Sequence, residues 1–180
     1  MEIRTSGYSI WLEPEGVVKE RLNRVIQYLS KEHGTPAFGP HVTLIGGLEG
    51  SEDEIRRRTE SLANKIEPYS ITFTGEVGLE EIWQKAMFIP VQEDYLVMAA
   101  NRLARAEFSF SGGNSYHPHL SLMYSNDIPL ARRLKIVGRL NLADFNGQSP
   151  VSKIHLYQTE GKVEEWVKLA QYPLQADGKP

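Results

Sequence analysis

The chain has 180 residues, of which 41% are hydrophobic and 24% charged, a composition typical of globular proteins and a length that favours a single two-lobed domain over residues 1–180. The absence of cysteine excludes disulfides, thiolate metal sites and cysteine nucleophiles. A formal net charge of −3 at pH 7 argues against a protein that wraps long nucleic acid, and no apolar run is long enough to cross a membrane.

The first half of the chain predicts strands and helices in alternation. Its opening residues lack the apolar core of a signal peptide, so we expect a cytoplasmic protein. Tyr8–Leu12 is short and aromatic, which predicts a strand. Apolar residues at helical spacing then predict a helix that ends at His33-Gly34. A β-branched strand follows in residues 40–48, and Ser51 caps a second helix.

The second half continues the same alternation. Residues 71–77 and 86–91 predict two strands that pair through the loop between them. Further elements are predicted as a helix over residues 96–103, a strand over 117–124, a helix begun by Pro129, and closing strands over 151–159 and 166–174. Strands interleaved with helices, without a Pro- or Gly-rich linker, predict one α+β body.

A hexamer of the same chemistry occurs once in each half of the chain. Residues 40–45 are Pro-His-Val-Thr-Leu-Ile and residues 118–123 are Pro-His-Leu-Ser-Leu-Met, so each position is identical or conservatively changed. A lone His-x-Thr or His-x-Ser arises often by chance, whereas two in matching surroundings indicate duplicated halves. On a strand, the imidazole and the hydroxyl two residues later share one face, and the aliphatic residues between them share the other.

Two such strands that meet across one cavity suit the hydrolysis of a phosphodiester. In-line displacement needs a base on the attacking water and an acid on the departing oxygen. His41 and His119 can supply both, because imidazole has an unperturbed pKa of about 6.5. Thr43 and Ser121 would donate hydrogen bonds to the non-bridging oxygens. The predicted catalytic set therefore needs neither a metal nor a cofactor.

Both motifs make the chain resemble the two-histidine phosphoesterase superfamily. The segments YSIWLEP, PHVTLIG, YHPHLSLMY and EEWVKLAQYPL make it similar to the plant and yeast cyclic phosphodiesterases in particular. This resemblance implies an α+β bilobal fold, with two antiparallel sheets and flanking helices around a central cleft and a pseudo-two-fold between the halves. It also implies an enzyme that hydrolyses a small ribose cyclic phosphate, either ADP-ribose 1″,2″-cyclic phosphate or nucleoside 2′,3′-cyclic phosphates.

The resemblance further implies that aromatic residues line the substrate site. Trp11 and Tyr124 occupy matching positions, although both also suit a packed core. Trp83, in the segment Trp83-Gln84-Lys85, falls near an aromatic-glutamine segment beside the family's cleft. On the basis of this resemblance we assign His119 as the base and His41 as the acid.

His117 is the residue for which a metal-binding role has to be weighed. On a strand it would share a face with His119, but the sequence places no acidic residue or further histidine nearby. We therefore expect a structural or substrate-edge role for His117.

Two other functions stay open at the level of the sequence. One is an RNA-end 2′,3′-cyclic phosphodiesterase or 2′-5′ RNA ligase of the same superfamily, which the acidic balance disfavours. The other is a catalytically silent nucleotide-binding module, which would not need both imidazoles. We expect a monomer that binds a small cyclic phosphate, with no cofactor, no membrane and no long nucleic acid.

Overall fold

The computed structural model describes residues 4–112 and 115–175. Its elements are β1 (Tyr8–Leu12), α1 (Gly16–His33), β2 (Val42–Leu48), α2 (Glu52–Ala63), β3 (Tyr69–Thr74), β4 (Met87–Pro90), α3 (Tyr95–Glu107), β5 (His119–Met123), α4 (Leu130–Val137), β6 (Asn146–Val151), β7 (Lys153–Gln158) and β8 (Val167–Pro173). Three short 3-10 turns, Trp83–Lys85, Leu142–Phe145 and Val163–Glu165, complete them. In this part of the chain, no helix combines the length and the apolar character needed to span a membrane.

The strands form two antiparallel sheets, as predicted for an α+β fold. Six strands have the order β4-β5-β2-β1-β7-β8, and β3 pairs with β6 in a second sheet. An isolated bridge between Phe73 and Val91 places the second sheet beside the end of β4. The order β8-β7-β1-β2 in one half thus corresponds to β6-β3-β4-β5 in the other, and the units β1-α1-β2 and β4-α3-β5 correspond as well.

The two motif strands lie side by side at the centre of this arrangement. They pair at a single position, Val42 with Leu120, so they separate on either side of it. The aliphatic residues between the motif side chains are buried as predicted: Val42, Leu44 and Leu120 are 0% exposed and Leu122 is 1% exposed. They pack against helices, since α1 lies on β5 and α3 lies on β2. The opposite face is left for the histidines and hydroxyls.

Hydrogen bonds confirm the predicted start of α2 and the predicted end of α1. Glu54 N–H donates to Ser51 Oγ at 3.3 Å, which caps α2. Gly34 has a φ of +65°, and its N–H donates to Ser30 O to close α1. Helix α3 begins at Tyr95, one residue before the predicted start, where Asp94 Oδ1 accepts from both Leu96 N–H and Val97 N–H, and it continues to Glu107, past the predicted end at residue 103. Each of these helices therefore begins where a side-chain oxygen replaces a missing carbonyl, or ends where glycine can reverse the chain.

Two strand predictions are wrong in part. The hairpin expected between residues 71–77 and 86–91 is reduced to isolated bridges, because β3 ends at Thr74 and Gly75 follows with a φ of +78°. The strand expected over 151–159 is shorter, since β7 covers Lys153–Gln158 and Val151 ends a separate strand, β6. Strand β6 was missed because Gly147 and Pro150 suggest a loop, whereas an edge strand tolerates both.

Arg133 fixes the loop that forms one wall of the cleft described below. Its side chain is 5% exposed and donates to three carbonyl oxygens, those of Ile128 at 3.0 Å, Glu80 at 2.6 Å and Ala86 at 2.7 Å. Since a buried carbonyl without a partner is costly, this arginine holds residues 80–86 against α4.

We expect Arg133→Met to lower the free energy of unfolding by about 2–4 kcal/mol, because it leaves three carbonyls without their donor. The exposed Arg132→Met on the same helix should change it by less than about 0.5 kcal/mol. Urea denaturation of the wild type and both variants measures the difference. Equal midpoints for the two variants would contradict this role.

Candidate active site

The predicted catalytic side chains lie together in one cleft between β2 and β5. The cavity has a volume of about 410 Å³. Its lining includes six of the seven residues singled out from the sequence, namely Trp11, His41, Thr43, His119, Ser121 and Tyr124. The geometric requirement for a shared site, that the two motifs open into one cavity, is therefore met.

Both imidazoles are held by the same backbone contact. His41 Nδ1 lies 2.7 Å from Gly39 O, and His119 Nδ1 lies 2.9 Å from His117 O, two residues earlier in each case. Because a carbonyl only accepts, Nδ1 carries the proton in each ring. Each Nε2 is then the atom left to accept or donate a proton in the cleft.

The two histidines differ in depth. His41 is 5% exposed, and burial lowers its pKa to about 4, against the opposing effects of the Gly39 hydrogen bond and the charge of Glu13. His119 is less buried, and burial, with Lys85 nearby, also lowers its pKa from the usual value. Both rings are therefore mainly neutral at pH 7 in the free protein. An anionic phosphate bound between them would raise both pKa values.

The two motif hydroxyls are not equivalent. Ser121 Oγ donates to the carbonyl oxygen of Gln84, so its single proton is already used. Within the described part of the chain, no protein group accepts from Thr43 Oγ1, which faces the same cavity. Thr43 is therefore ready to donate to a phosphate oxygen, whereas Ser121 must first turn away from Gln84.

Trp11 contributes by holding His41. Its ring stacks on the imidazole with centroids 3.6 Å apart and planes 7° apart, and its other face stacks on Tyr157 at 3.7 Å. With both faces covered, Trp11 has no surface on which a nucleobase could stack. Only its edge reaches the cavity, and the arrangement fixes the plane of the His41 ring.

Tyr124 places a hydroxyl at the reactive atom of His41. Its Oη lies 3.3 Å from His41 Nε2, and its ring stacks on Phe38 at 3.9 Å. Burial raises the pKa of this phenol, which keeps the hydroxyl protonated. Since Nε2 of the neutral imidazole accepts, Tyr124 donates to it until a substrate arrives.

Trp83 does not line the cleft. Its ring contacts the edge of Tyr124 at 5.2 Å and faces a neighbouring cavity of about 390 Å³. The 3-10 turn at this point directs the next two residues, Gln84 and Lys85, into the cleft instead. Lys85 forms an ion pair with Glu80, and its ammonium lies 4.6 Å from the centre of the Phe88 ring.

Trp166 lines the cleft, although the sequence suggested only a strand residue there. Its Nε1 donates to Thr5 Oγ1 at 2.9 Å, and its ring makes edge contacts with Trp11 at 5.8 Å and Tyr124 at 6.0 Å. The residue is partly exposed, unlike Trp11. No local pattern identifies it, because its position depends on β7 pairing with both β1 and β8.

His117 lies just before β5 and is bonded away from His119. Its Nδ1 is 2.6 Å from Glu93 Oε1, and its Nε2 is 2.9 Å from Ser115 Oγ. The expectation that no acidic residue lies nearby is thus wrong, because Glu93 comes from the segment before α3. Over residues 4–112 and 115–175, no group of three or more His, Asp or Glu side chains is arranged to hold a metal ion.

A buried carboxylate lies behind the aromatic stack. Glu13 is 8% exposed and accepts from Lys19 at 2.7 Å, Tyr157 Oη at 2.8 Å and Lys168 at 3.1 Å. Burial alone would raise the pKa of Glu13, but the hydrogen bond from Lys19, the nearby His155 and the other two donors lower it to about 2. Glu13 thus fixes Tyr157, which in turn supports Trp11 and His41.

Glu13→Gln should make the protein less stable at neutral pH and less sensitive to acid. Because the folded-state pKa of Glu13 is below its ordinary value of 4.5, its ionised form adds stability above about pH 4.5, and this is lost as the pH falls towards 2. We expect a difference of about 2–3 kcal/mol at pH 7 that closes between pH 4.5 and 2. The exposed Glu20→Gln is the control. Thermal unfolding at a series of pH values measures this difference. A difference between wild type and Glu13→Gln that stays constant from pH 4.5 to 2 would refute the assignment.

The amino-acid sequence is similar to a known protein family and to a characterised enzyme. The family model described as the 2′-5′ RNA ligase superfamily matches residues 13–163. The cyclic phosphodiesterase of Arabidopsis thaliana is 28% identical over 124 residues, which are 69% of this chain and 68% of that protein. Both motif histidines lie inside the residues that the family model matches.

Solved structures share the fold. A crystal structure of E. coli LigT complexed with 3′-AMP aligns with a TM-score of 0.63 and 16% identity, over 97% of this chain and 100% of that one. The crystal structure of TT0787 from Thermus thermophilus aligns with a TM-score of 0.68 and 14% identity, again over 97% and 100%. Both structures thus share the α+β fold of this chain.

Proposed function

The chain belongs to the 2′-5′ RNA ligase superfamily and is an enzyme of the phosphoesterase class, and from that premise we propose that it hydrolyses a small ribose cyclic phosphate to a phosphomonoester by paired-histidine catalysis. The observation that carries the proposal is the matched pair of Nδ1-anchored imidazoles, whose Nε2 atoms are left for one cavity. The substrates that we propose are ADP-ribose 1″,2″-cyclic phosphate and nucleoside 2′,3′-cyclic phosphates.

The reaction uses water as the nucleophile. One imidazole removes a proton from water as its oxygen attacks phosphorus, and the other gives a proton to the ribose oxygen as the P–O bond of the ring breaks. Thr43 donates to a non-bridging oxygen, and Ser121 joins it after leaving Gln84. These four side chains and Tyr124 supply every proton transfer and hydrogen bond in the step, so the proposal includes no metal.

The roles of the two histidines follow from their burial. The family resemblance implied His119 as base and His41 as acid, whereas the pKa of about 4 supports the opposite order. A group that is unprotonated in the free enzyme is available to accept the proton of water. We therefore propose His41 as base, with Trp11 orienting its ring and Tyr124 giving up its hydrogen bond to Nε2 when the attacking water takes that place, and the less buried His119 as acid.

The rival functions are less well supported. A silent binding module would not need two imidazoles with matched anchors. For an RNA-end enzyme, the formal net charge of −3 is unfavourable, and the curated relative named above is a cyclic phosphodiesterase. We propose a small molecule as the physiological partner.

We expect His41→Ala and His119→Ala to reduce kcat/KM for adenosine 2′,3′-cyclic phosphate by about 10²-fold to 10⁴-fold. The activity of the wild type should be unchanged by EDTA. His33→Ala, at the end of α1 and outside the cleft, should behave as wild type. A 4-nitrophenyl phosphodiester needs no proton on its leaving group, so His119→Ala should lose much less activity on it than His41→Ala. The reverse pattern would exchange the two roles, and normal rates in both variants would end the proposal.

The dependence of kcat/KM on pH should peak on the acid side of neutrality. This parameter reports the free enzyme, in which His41 loses its proton at about pH 4 and His119 at a pKa below its usual value of 6.5. Activity should therefore rise as His41 deprotonates and fall again as His119 does. The kcat profile should lie at higher pH, because bound phosphate raises both pKa values. Steady-state kinetics from acidic to alkaline pH measure both profiles, and a flat kcat/KM would contradict histidine acid–base chemistry.

A further inference from the structure

At His119 the catalytic cleft adjoins a second cavity of about 740 Å³. Five residues line both cavities, namely Thr43, Gly46, Ile82, Lys85 and His119. Tyr116 Oη donates to the carbonyl oxygen of Thr43 at 3.0 Å, which joins the wall of the second cavity to the catalytic strand. We call this extension the His119 arm. Its further lining includes Asn101, Arg105, Phe110, Ser115 and Tyr116.

Arg105 is the cation of the His119 arm that no carboxylate neutralises within the described ranges. Lys85 is paired with Glu80, and His117 with Glu93. Arg105 donates one N–H to Gly112 O at 2.9 Å and lies 5.3 Å from the centre of the Phe110 ring, and in the described ranges it makes no ion pair. The Phe110 ring and Gly112 hold the guanidinium in place, and its other N–H groups have no partner among the residues that the structure describes.

Such an arginine fits a phosphate. A guanidinium offers a planar fork of donors that matches phosphate oxygens, and one held by an aromatic face loses less freedom on binding. The arm adjoins the cleft in which the cyclic phosphate is proposed to lie, so a second phosphate at Arg105 would belong to the same substrate molecule. Nothing in the hydrolysis step requires it, which makes it a determinant of substrate choice.

The shape of a cyclic-phosphate ribose explains why the cleft has two directions. In a nucleoside 2′,3′-cyclic phosphate held between the histidines, the base on C1′ and the 5′ carbon leave the sugar from opposite ends. In a 1″,2″-cyclic phosphate, C1″ is part of the phosphate ring, and the 5″ carbon carries the rest of the molecule. Trp166 and Tyr124 line the cavity on the His41 side, whereas Arg105 lies in the His119 arm. We propose, building on the function above, that Arg105 binds a phosphate attached to the 5′ carbon and selects 5′-phosphorylated or diphosphate-linked ribose cyclic phosphates.

Kinetics with matched substrates test the proposal. Adenosine 2′,3′-cyclic phosphate and its 5′-phosphorylated form differ only in the group assigned to Arg105. We expect wild type to prefer the 5′-phosphorylated form by about tenfold in kcat/KM, through KM, which corresponds to one charge-assisted contact. Arg105→Met should abolish the preference and leave kcat and the rate on the plain substrate unchanged.

Arg102→Met is the matched control, since Arg102 is exposed on the same helix and lies 5.8 Å from the Tyr95 ring, in an equivalent contact outside the arm. It should keep the preference. No preference in wild type, or an equal effect of Arg105→Met on both substrates, would overturn the proposal.

The source of the second phosphate is resolved by two further substrates. ADP-ribose 1″,2″-cyclic phosphate carries a diphosphate on its 5″ carbon, and a dinucleotide that ends in a 2′,3′-cyclic phosphate carries a phosphodiester on its 5′ carbon. Loss of rate in Arg105→Met on the first identifies a nucleotide sugar, and loss on the second an RNA end. No loss on either would count against the site.

Failure of the proposed function can be recognised separately. If wild type hydrolyses none of these substrates, the catalytic proposal fails, whereas the arm is still tested by calorimetric binding. Adenosine 2′,5′-bisphosphate should then bind about tenfold more tightly than adenosine 2′-phosphate to wild type, and equally to Arg105→Met. Equal binding of both ligands to wild type would end the inference.

Discussion

The site depends on one backbone pairing, that of Val42 with Leu120, where β2 and β5 meet. This contact sets His41 and His119 diagonally across the seam of the central sheet, and their aliphatic neighbours anchor both strands in the core. A longer ladder would have closed the space between the strands. Because they separate beyond this pair, a phosphate can lie between the two rings, and the remaining contacts of the cleft refine a geometry that the pairing sets.

The cleft is symmetric in its backbone and asymmetric in its surroundings. Both imidazoles use Nδ1 on a carbonyl two residues earlier, as duplicated halves would give. Around His41, however, Trp11 and Tyr157 form a stack whose far end is fixed by Glu13. His119 contacts the edge of Phe88, at 5.4 Å, and faces an opening into the His119 arm. Equivalent histidines thus lie in different surroundings, and the proposed division into base and acid rests on that difference.

Local sequence patterns predicted most of the fold and the centre of the site. The duplicated hexamer identified all four motif side chains, because alternation on a strand determines which face each occupies. Trp166 in the cleft and Arg105 in the His119 arm could not be found this way, since pairing or packing between distant segments sets the position of each. The position of Trp83 was misjudged because a 3-10 turn directs its two successors inward instead. Edge strand β6 was missed for a related reason, as its glycine and proline are tolerated only where the partner strand β3 exists.

The packing of the helices has a consequence for folding. Helix α1, from the first half, covers β5 of the second, and α3 covers β2 in return. Neither half of the chain therefore contains a complete hydrophobic core. If the chain were cut between the halves, each fragment would expose the apolar face of its helix to water. Such fragments should associate before they become ordered.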